Sequence, residues 1–404
     1  MFRELQAIVF DGKLCYIIAV YFIYTAQRCE IMHKIKDFFI RLYNAETESR
    51  RWSRFVICTA LGIVLGAALL VVVVDPHYRY HEPWFYDKVY YEIYATAPHI
   101  LQHENYDLLV LGTSMTRNFF LEDINSTFEC NAVKLAASGG TSQDLCKFFQ
   151  VAKDAKGDKL KRVIISLDTY SLNKTEAHWK EFEYMYREDH LEDYRYLFSR
   201  QSFSSMIYLI KRKTSPKKQR PHQSDRNRMF ATEYKGKPYG YEEVIADALH
   251  NENIRHSPTP YNPEAHRKNF AKLLEIFDRN PDMEFIVYLP PYHIYTFCLS
   301  SKLGEAEGLL EQRTMVMKEL LKRRNVKVYD FQGDRKYVCD FANFSDVQHF
   351  CNPMAKEVLA DLKNGRRQVT SAAQVDALEA ELRALIAEKM PEYERDLNKY
   401  REKH

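Results

Sequence analysis

The chain has 404 residues, 46% of them hydrophobic and 28% charged, a balance that excludes a disordered polymer and allows one large domain or two ordinary ones. Its net charge of only +3 makes no overall case for nucleic acid, so no such partner is expected. The eight cysteines include no C-x-x-C pair and no Cys/His cluster with zinc spacing, and the aromatics are dispersed, so neither a metal site nor a cofactor is expected.

Residues 1–54 form an N-terminal segment expected to be cytoplasmic. Within it, 14–26 is uncharged and aromatic-rich but short, and fits a marginal extra span as well as it fits a misassigned start ahead of a natural beginning at Met32. From Phe55 to Val74 the sequence FVICTALGIVLGAALLVVVV carries no charge and is closed by Asp75-Pro76, long enough for a helix to cross the hydrocarbon core of a bilayer. Arg50, Arg51 and Arg54 precede it, with Lys34, Lys36 and Arg41 upstream. The positive-inside rule therefore puts the N-terminal flank in the cytoplasm and the chain after Asp75 on the outer face.

A linker rich in Tyr, His and Pro occupies 75–100, and an α/β domain is expected over 101–365. Its strand candidates are short, nearly continuous apolar runs: Leu108 to Leu111, Ala132 to Ala136, Val163 to Leu167, Phe285 to Leu289 and Val326 to Phe331. Such runs suit parallel strands covered on both faces. Helical patterns lie between them, at Thr141 to Lys153, Pro263 to Phe277 and Glu305 to Lys322. The expected fold is a doubly wound, flavodoxin-like parallel sheet between helices, with ligands bound beyond the carboxyl ends of the strands. An insert of about 170–260 departs from the alternation. It contains the basic stretch Lys211 to Arg228, which reads either as a solvated loop or as a site for an anionic glycan, a teichoic-type polymer or phospholipid headgroups. The last segment, 366–404, keeps apolar spacing through Val375, Leu378, Leu382 and Leu385 until Pro391 interrupts it, which predicts a terminal amphipathic helix that docks on the domain or a partner. Of the cysteines in the outer region, Cys339 and Cys351 could bridge or remain free thiols.

Three distant segments carry the chemistry. Gly112-Thr113-Ser114 follows the first strand candidate, where a helix N-terminus would stabilise developing negative charge. Ser138-Gly139-Gly140 follows the second. Asp346-Val347-Gln348-His349 sets a carboxylate three residues before a histidine, within reach on one helical turn. Serine is a poor nucleophile at neutral pH unless a base is paired with it. An α/β-hydrolase elbow would need glycine two residues after the serine, where this chain has Thr116.

These segments resemble the blocks of the SGNH/GDSL hydrolase superfamily, with Thr113 in the usual Asp position and Asp346 to His349 as the D-x-x-H block, over about residues 105–363. The chain is most similar to membrane-anchored members, including those that acylate alginate or assist teichoic-acid D-alanylation. The runs Asn343 to Phe350 and Tyr288-Leu289-Pro290-Pro291-Tyr292-His293 carry that closer likeness. The resemblance implies Ser114 as nucleophile, His349 as general base and then acid, and Asp346 as the group that orients the imidazole. It also implies an oxyanion hole from the backbone N–H groups of Ser114 and Gly139. The family's further donor, an asparagine amide, is replaced by Asp168, which cannot donate when ionised. Pro291 and His293 are substrate-binding candidates.

The function expected is a membrane-anchored serine esterase or O-acyltransferase that forms an acyl-serine intermediate on a cell-envelope polysaccharide or polymer. A membrane-embedded protein would deliver the acyl donor in the transfer case. The alternative is a non-catalytic binding or assembly subunit that keeps the fold, suggested by Asp168 at a donor position.

Overall fold

The computed structural model describes residues 37, 40, 48–90, 92–214, 225–230, 238–257 and 261–404. The short candidate span at 14–26, the upstream cations Lys34, Lys36 and Arg41 and the middle of the basic stretch, 215–224, lie outside the described residues. The chain divides into two units, Met1–Tyr86 with Tyr184–Pro216, and Asp87–Glu183 with Lys217–His404.

The first unit contains the apolar helix α1 (Glu48–Val74), of which Arg51–Val74 is long and apolar enough to cross a membrane. Its end is fixed by Asp75, a residue with φ of 45° whose carboxylate collects several donors. Oδ1 accepts from Arg79 N at 2.9 Å and from the Tyr196 hydroxyl at 2.7 Å, and Oδ2 accepts from Tyr80 N at 2.6 Å and His81 N at 2.8 Å. The Arg79 guanidinium binds Asp193 Oδ1 at 2.9 Å and Arg187 O at 2.8 Å, which ties this turn to the segment before the short helices later in the unit.

The second unit is α/β. It begins with α2 (Ile93–His103), a helix inside the stretch expected to be a linker, followed by β1 (Leu108–Gly112), α3 (Leu121–Phe128) and β2 (Ala132–Ala136). Next come α4 (Ser142–Lys156), β3 (Arg162–Ser166) and the one-turn α5 (Thr169–Asn173). The helices α6 (Asp193–Leu197) and α7 (Arg200–Thr214) belong to the first unit. The α/β unit resumes with α8 (Tyr241–Asn253), α9 (Pro263–Arg279), β4 (Glu284–Leu289), α10 (Tyr295–Lys302) and α11 (Ala306–Leu320). It closes with β5 (Val326–Asp330), α12 (Arg335–Val338), α13 (Asn352–Asn364), β6 (Gln368–Val369) and α14 (Ala372–Lys403).

The strands form one sheet in the order β2-β1-β3-β4-β5-β6. The pairs from β2 through β5 are parallel, with Leu109 opposite both Val133 and Val163, and only β6 runs antiparallel, against β5. All five expected strands are present within a residue or two of their expected ends. β6 was not expected, because two residues between Gly365 and Ser371 give no alternation to read. Strands β1 and β2 are buried throughout, as suits nearly continuous apolar runs, broken in β2 only by Lys134, in a sheet placed between helices. Because β1 lies between β2 and β3, the connections turn opposite ways at that point, and the crevice beyond the carboxyl ends of β1 and β3 is where such sheets hold ligands.

Local sequence explains the helix ends nearest that crevice. Asp144 at the third position of α4 accepts from Thr141 N at 2.9 Å and so caps the first turn. Asn262 caps α9 by accepting from Ala265 N at 3.1 Å, with Pro263 at the first turn. Helix α14 runs through Pro391, contrary to the expected break. One missing N–H is tolerated because Ile386, Tyr393 and Leu397 on either side of it are buried.

Candidate active site

β1 delivers the serine. Gly112 ends the strand, and a Cβ there would fall 2.3 Å from Thr116 Cγ2 and 2.8 Å from Ser166 Cβ, so only glycine allows the chain to turn this tightly against β3. The next residues form a single 3-10 turn, Ser114–Thr116, held by Thr116 Oγ1 donating to Thr113 O at 3.0 Å. The expected helix start with its dipole is therefore absent here. The following α-helix begins only at Leu121.

Ser114 meets a histidine from a segment 235 positions away: His349 Nε2 lies 2.7 Å from Ser114 Oγ. On the other side of the ring, His349 Nδ1 lies 2.8 Å from Asp346 Oδ2 and 3.0 Å from Oδ1. A carboxylate only accepts, so this contact takes the Nδ1 proton and leaves Nε2 to accept from the serine hydroxyl. Burial pushes the Asp346 carboxyl upward, but hydrogen bonds from the His349 ring and from the His349 and Gln348 N–H groups outweigh it and bring the pKa down to about 2. The carboxylate is ionised wherever the protein is folded at ordinary pH.

The D-x-x-H block is not helical. Asp346 Oδ1 accepts from Gln348 N at 2.9 Å and His349 N at 2.7 Å, an Asx-type turn, and Ser345 N donates to His349 O at 3.0 Å beside a Phe344–Phe350 bridge. The same carboxylate thus shapes the loop and orients the ring. Neighbouring elements hold the loop in place: His293 N and Thr296 Oγ1 donate to Val347 O at 3.0 and 2.5 Å, and Val347 N donates to Asp247 Oδ2 at 3.2 Å.

The Ser138-Gly139-Gly140 segment lies in the β2–α4 loop. Ala137 N donates to Gly112 O at 2.8 Å and Gly140 N to Ala137 O at 2.8 Å, which joins the two loops and closes a tight turn with Gly139 at φ of 66°. That left-handed conformation favours glycine. Among the described residues, neither Ser114 N nor Gly139 N donates to a protein acceptor, so both remain available to an oxyanion.

Asp168 does not act as a donor. Its side chain is fully buried, with Oδ1 accepting from Ser171 N at 2.7 Å and Oδ2 accepting from Thr113 Oγ1. Burial raises its pKa to about 6, with the Thr113 and Ser171 bonds opposing the rise. It therefore anchors the residue just before Ser114. Pro291 and His293, the substrate-binding candidates, are both buried. The His293 ring packs 4.4 Å from the Phe341 ring, centroid to centroid, and burial, with the Lys389 charge adding, lowers its pKa to about 3. Its part is to be a neutral core group whose backbone supports the histidine loop.

Sequence reasoning missed several residues that assemble the site. Asn118 Nδ2 donates to Phe350 O at 2.5 Å, and Asn352 Nδ2 donates to Asn118 O at 2.8 Å, so two amides clamp the serine turn to the histidine loop. Arg117 Nε donates to Ser138 Oγ at 3.0 Å, across the two loops. Lys134, buried in β2, donates to Phe119 O at 2.7 Å and Arg117 O at 3.0 Å, and burial followed by the Arg117 charge lowers its pKa to about 7. A lysine in an apolar strand was the one available signal. No spacing rule pointed to the asparagines.

Among the described residues, no group of three His, Cys, Asp or Glu side chains gathers as a metal site would require. Cys339 and Cys351 are free thiols. No protein-family model matches this chain and no curated protein sequence matches it.

Proposed function

We propose that the chain is a membrane-anchored, SGNH-type serine esterase or O-acyltransferase. The observation that carries this reading is the continuous hydrogen-bonded series Ser114 Oγ, His349 Nε2, His349 Nδ1 and Asp346 at 2.7 and 2.8 Å. The strand order, with the serine turn beyond β1 beside the reversal point, is what a flavodoxin-like sheet of that type would have.

In this mechanism Ser114 Oγ attacks the ester carbonyl while His349 Nε2 takes its proton, and Asp346 stabilises the resulting imidazolium. The N–H groups of Ser114 and Gly139 stabilise the oxyanion. His349 then returns the proton to the leaving alkoxide as the carbon–oxygen bond breaks, which leaves an acyl-serine. An incoming hydroxyl, from water or from a sugar of an envelope polymer, gives its proton to the same histidine and takes the acyl group, and His349 passes that proton to Ser114 Oγ as the acyl–serine bond breaks. Helix α1 and the arginines before it favour placing this chemistry outside the cytoplasmic membrane, where a polysaccharide or teichoic-type polymer is the acceptor and a membrane protein the source of acyl groups.

The test is hydrolysis of an aryl acetate, and acetyl transfer to a soluble oligosaccharide, by the full chain and by Ser114→Ala. A loss on the order of 10⁴-fold or more is expected. An unaltered rate in the variant would instead favour a non-catalytic assembly subunit.

A further inference from the structure

We infer that α7, together with the end of α1, is seated in the membrane surface, with Ile207 and Ile210 in contact with lipid acyl chains and Lys211 and Lys213 among the headgroups. The inference rests on the reading of α1 as a membrane span.

The length of α1 bears on where the membrane ends. In α1 the buried positions are Ala68, Val71 and Val74, one face of its last two turns, and α6 and α7 both pack against this helix. The stretch of α1 that contains no buried residue, Phe55 to Ala67, is roughly thirteen residues or about 20 Å of helix, short of the roughly 30 Å of hydrocarbon a span must cross. The covered turns must therefore lie within the leaflet as well. Their other face agrees, since Leu69 and Leu70 remain 45% and 51% exposed, apolar surface that lipid would cover.

The composition of α7 points the same way. Ser202, Ser205, Met206 and Leu209 are buried, whereas Ile207 and Ile210 are 46% and 37% exposed. The face used inside the unit is mixed, with Arg212 buried as well, whereas the uncovered positions are apolar isoleucines. Ser205 Oγ lies 3.1 Å from His77 Nε2, three residues past the end of α1, which fixes the middle of α7 at the level where the span leaves the hydrocarbon. The last turn then presents Lys211 and Lys213, both exposed. Isoleucines followed by lysines at that level match the apolar and anionic layers of a phospholipid surface in order. On the same unit Trp84 is 47% exposed and stacks on His81 with ring centroids 3.8 Å apart, an aromatic suited to the interface.

The experiment places a nitroxide-bearing amino acid at position 65, 207, 210 or 356 of the full chain, one at a time, in nanodiscs of phosphatidylcholine and phosphatidylglycerol. Collision rates with oxygen and with a water-soluble nickel chelate are then compared. Position 65 reports the span and position 356, on α13, reports water. Positions 207 and 210 are exposed, so a label there disturbs no packing. The expected oxygen-to-nickel ratio at 207 and 210 is roughly tenfold above that at 356 and close to that at 65, because oxygen concentrates in hydrocarbon and the chelate does not. Values at 207 and 210 equal to 356, with 65 in lipid, would overturn the inference and leave the span intact. An aqueous value at 65 would overturn the span reading, and the inference with it.

Discussion

In the proposed SGNH-type reading, Thr113 occupies the position of an aspartate and Asp168 that of an asparagine. Here the two side chains meet, with Thr113 Oγ1 donating to Asp168. An acid at the neighbouring strand end thus holds the serine turn. Removing the donor with Thr113→Val leaves a buried carboxylate short of one hydrogen bond, at a cost of about 1–3 kcal/mol by denaturant unfolding. Asp168 also predicts a pH dependence. Burial lifts its folded pKa to about 6, above the 3.8 of a free aspartate, so between these values the folded state keeps a proton the unfolded state has released, and this group lowers stability as pH rises through that window. In Asp168→Asn that slope disappears. Melting temperatures of variant and wild type measured from pH 4 to 6.5 should diverge in the variant's favour as pH rises, whatever their constant offset, and parallel curves would refute the assignment.

The orienting acid behaves in the opposite sense, since Asp346 is held down to about 2. Asp346→Asn keeps the side-chain shape but reverses the preference for the Nδ1 proton, and kcat should fall by about 10²–10⁴-fold with the fold retained by circular dichroism. The residue types at Ser114, His349 and Asp346 were legible in the sequence because their chemistry is scarce and ordered. The Thr113–Asp168 pair was not, because a side-chain pair across two parallel strands leaves no trace in either segment alone.

Among elements, the parallel strands were readable from composition, since strands covered on both faces favour nearly continuous apolar runs. The loops that make the site were less so. Spacing suggested a helical turn for Asp346 to His349, yet the carboxylate's bonds to Gln348 N and His349 N favour an Asx-type turn. The clamp between Asn118 and Asn352 joins segments far apart in the chain, and amides in loops look alike in sequence whether they face water or a neighbouring carbonyl. Asn352→Ala removes the bonds to Asn118 O and to Asp123 Oδ2, at 2.8 and 3.2 Å. It should lower kcat by roughly 10-fold through misplacement of the serine against the histidine, with KM changed less. Gly112→Ala tests the close approach of β1 to β3. The clash with Thr116 and Ser166 should destabilise the fold by about 1–3 kcal/mol or more in chemical unfolding.

Across the whole molecule, the chain is two compact units, one containing the apolar helix α1 and the other the sheet and the site. Residues 170–260 looked like one insert because their aromatic and charged helices break the strand–helix alternation, but α6 and α7 within them belong to the unit of α1. Sequence order hides that division, since the segments that form the unit are about a hundred residues apart. Helix α14 has a comparable role in the α/β unit. It packs on α10 and α11, with Tyr295 donating to Asp396 at 2.7 Å and Tyr393 to Glu252 at 2.9 Å. It lies against the α10 region that supports the histidine loop, so that loop and the C-terminal helix are joined through one layer of packing. The claim on which the account depends is that Ser114 is an activated nucleophile. A fluorophosphonate probe applied to the full chain in detergent, followed by peptide mass spectrometry, should give a single phosphonyl adduct on Ser114 that disappears in Ser114→Ala and forms far more slowly in His349→Ala. An unlabelled wild-type chain, or an adduct that persists when Ser114 is replaced, would contradict it.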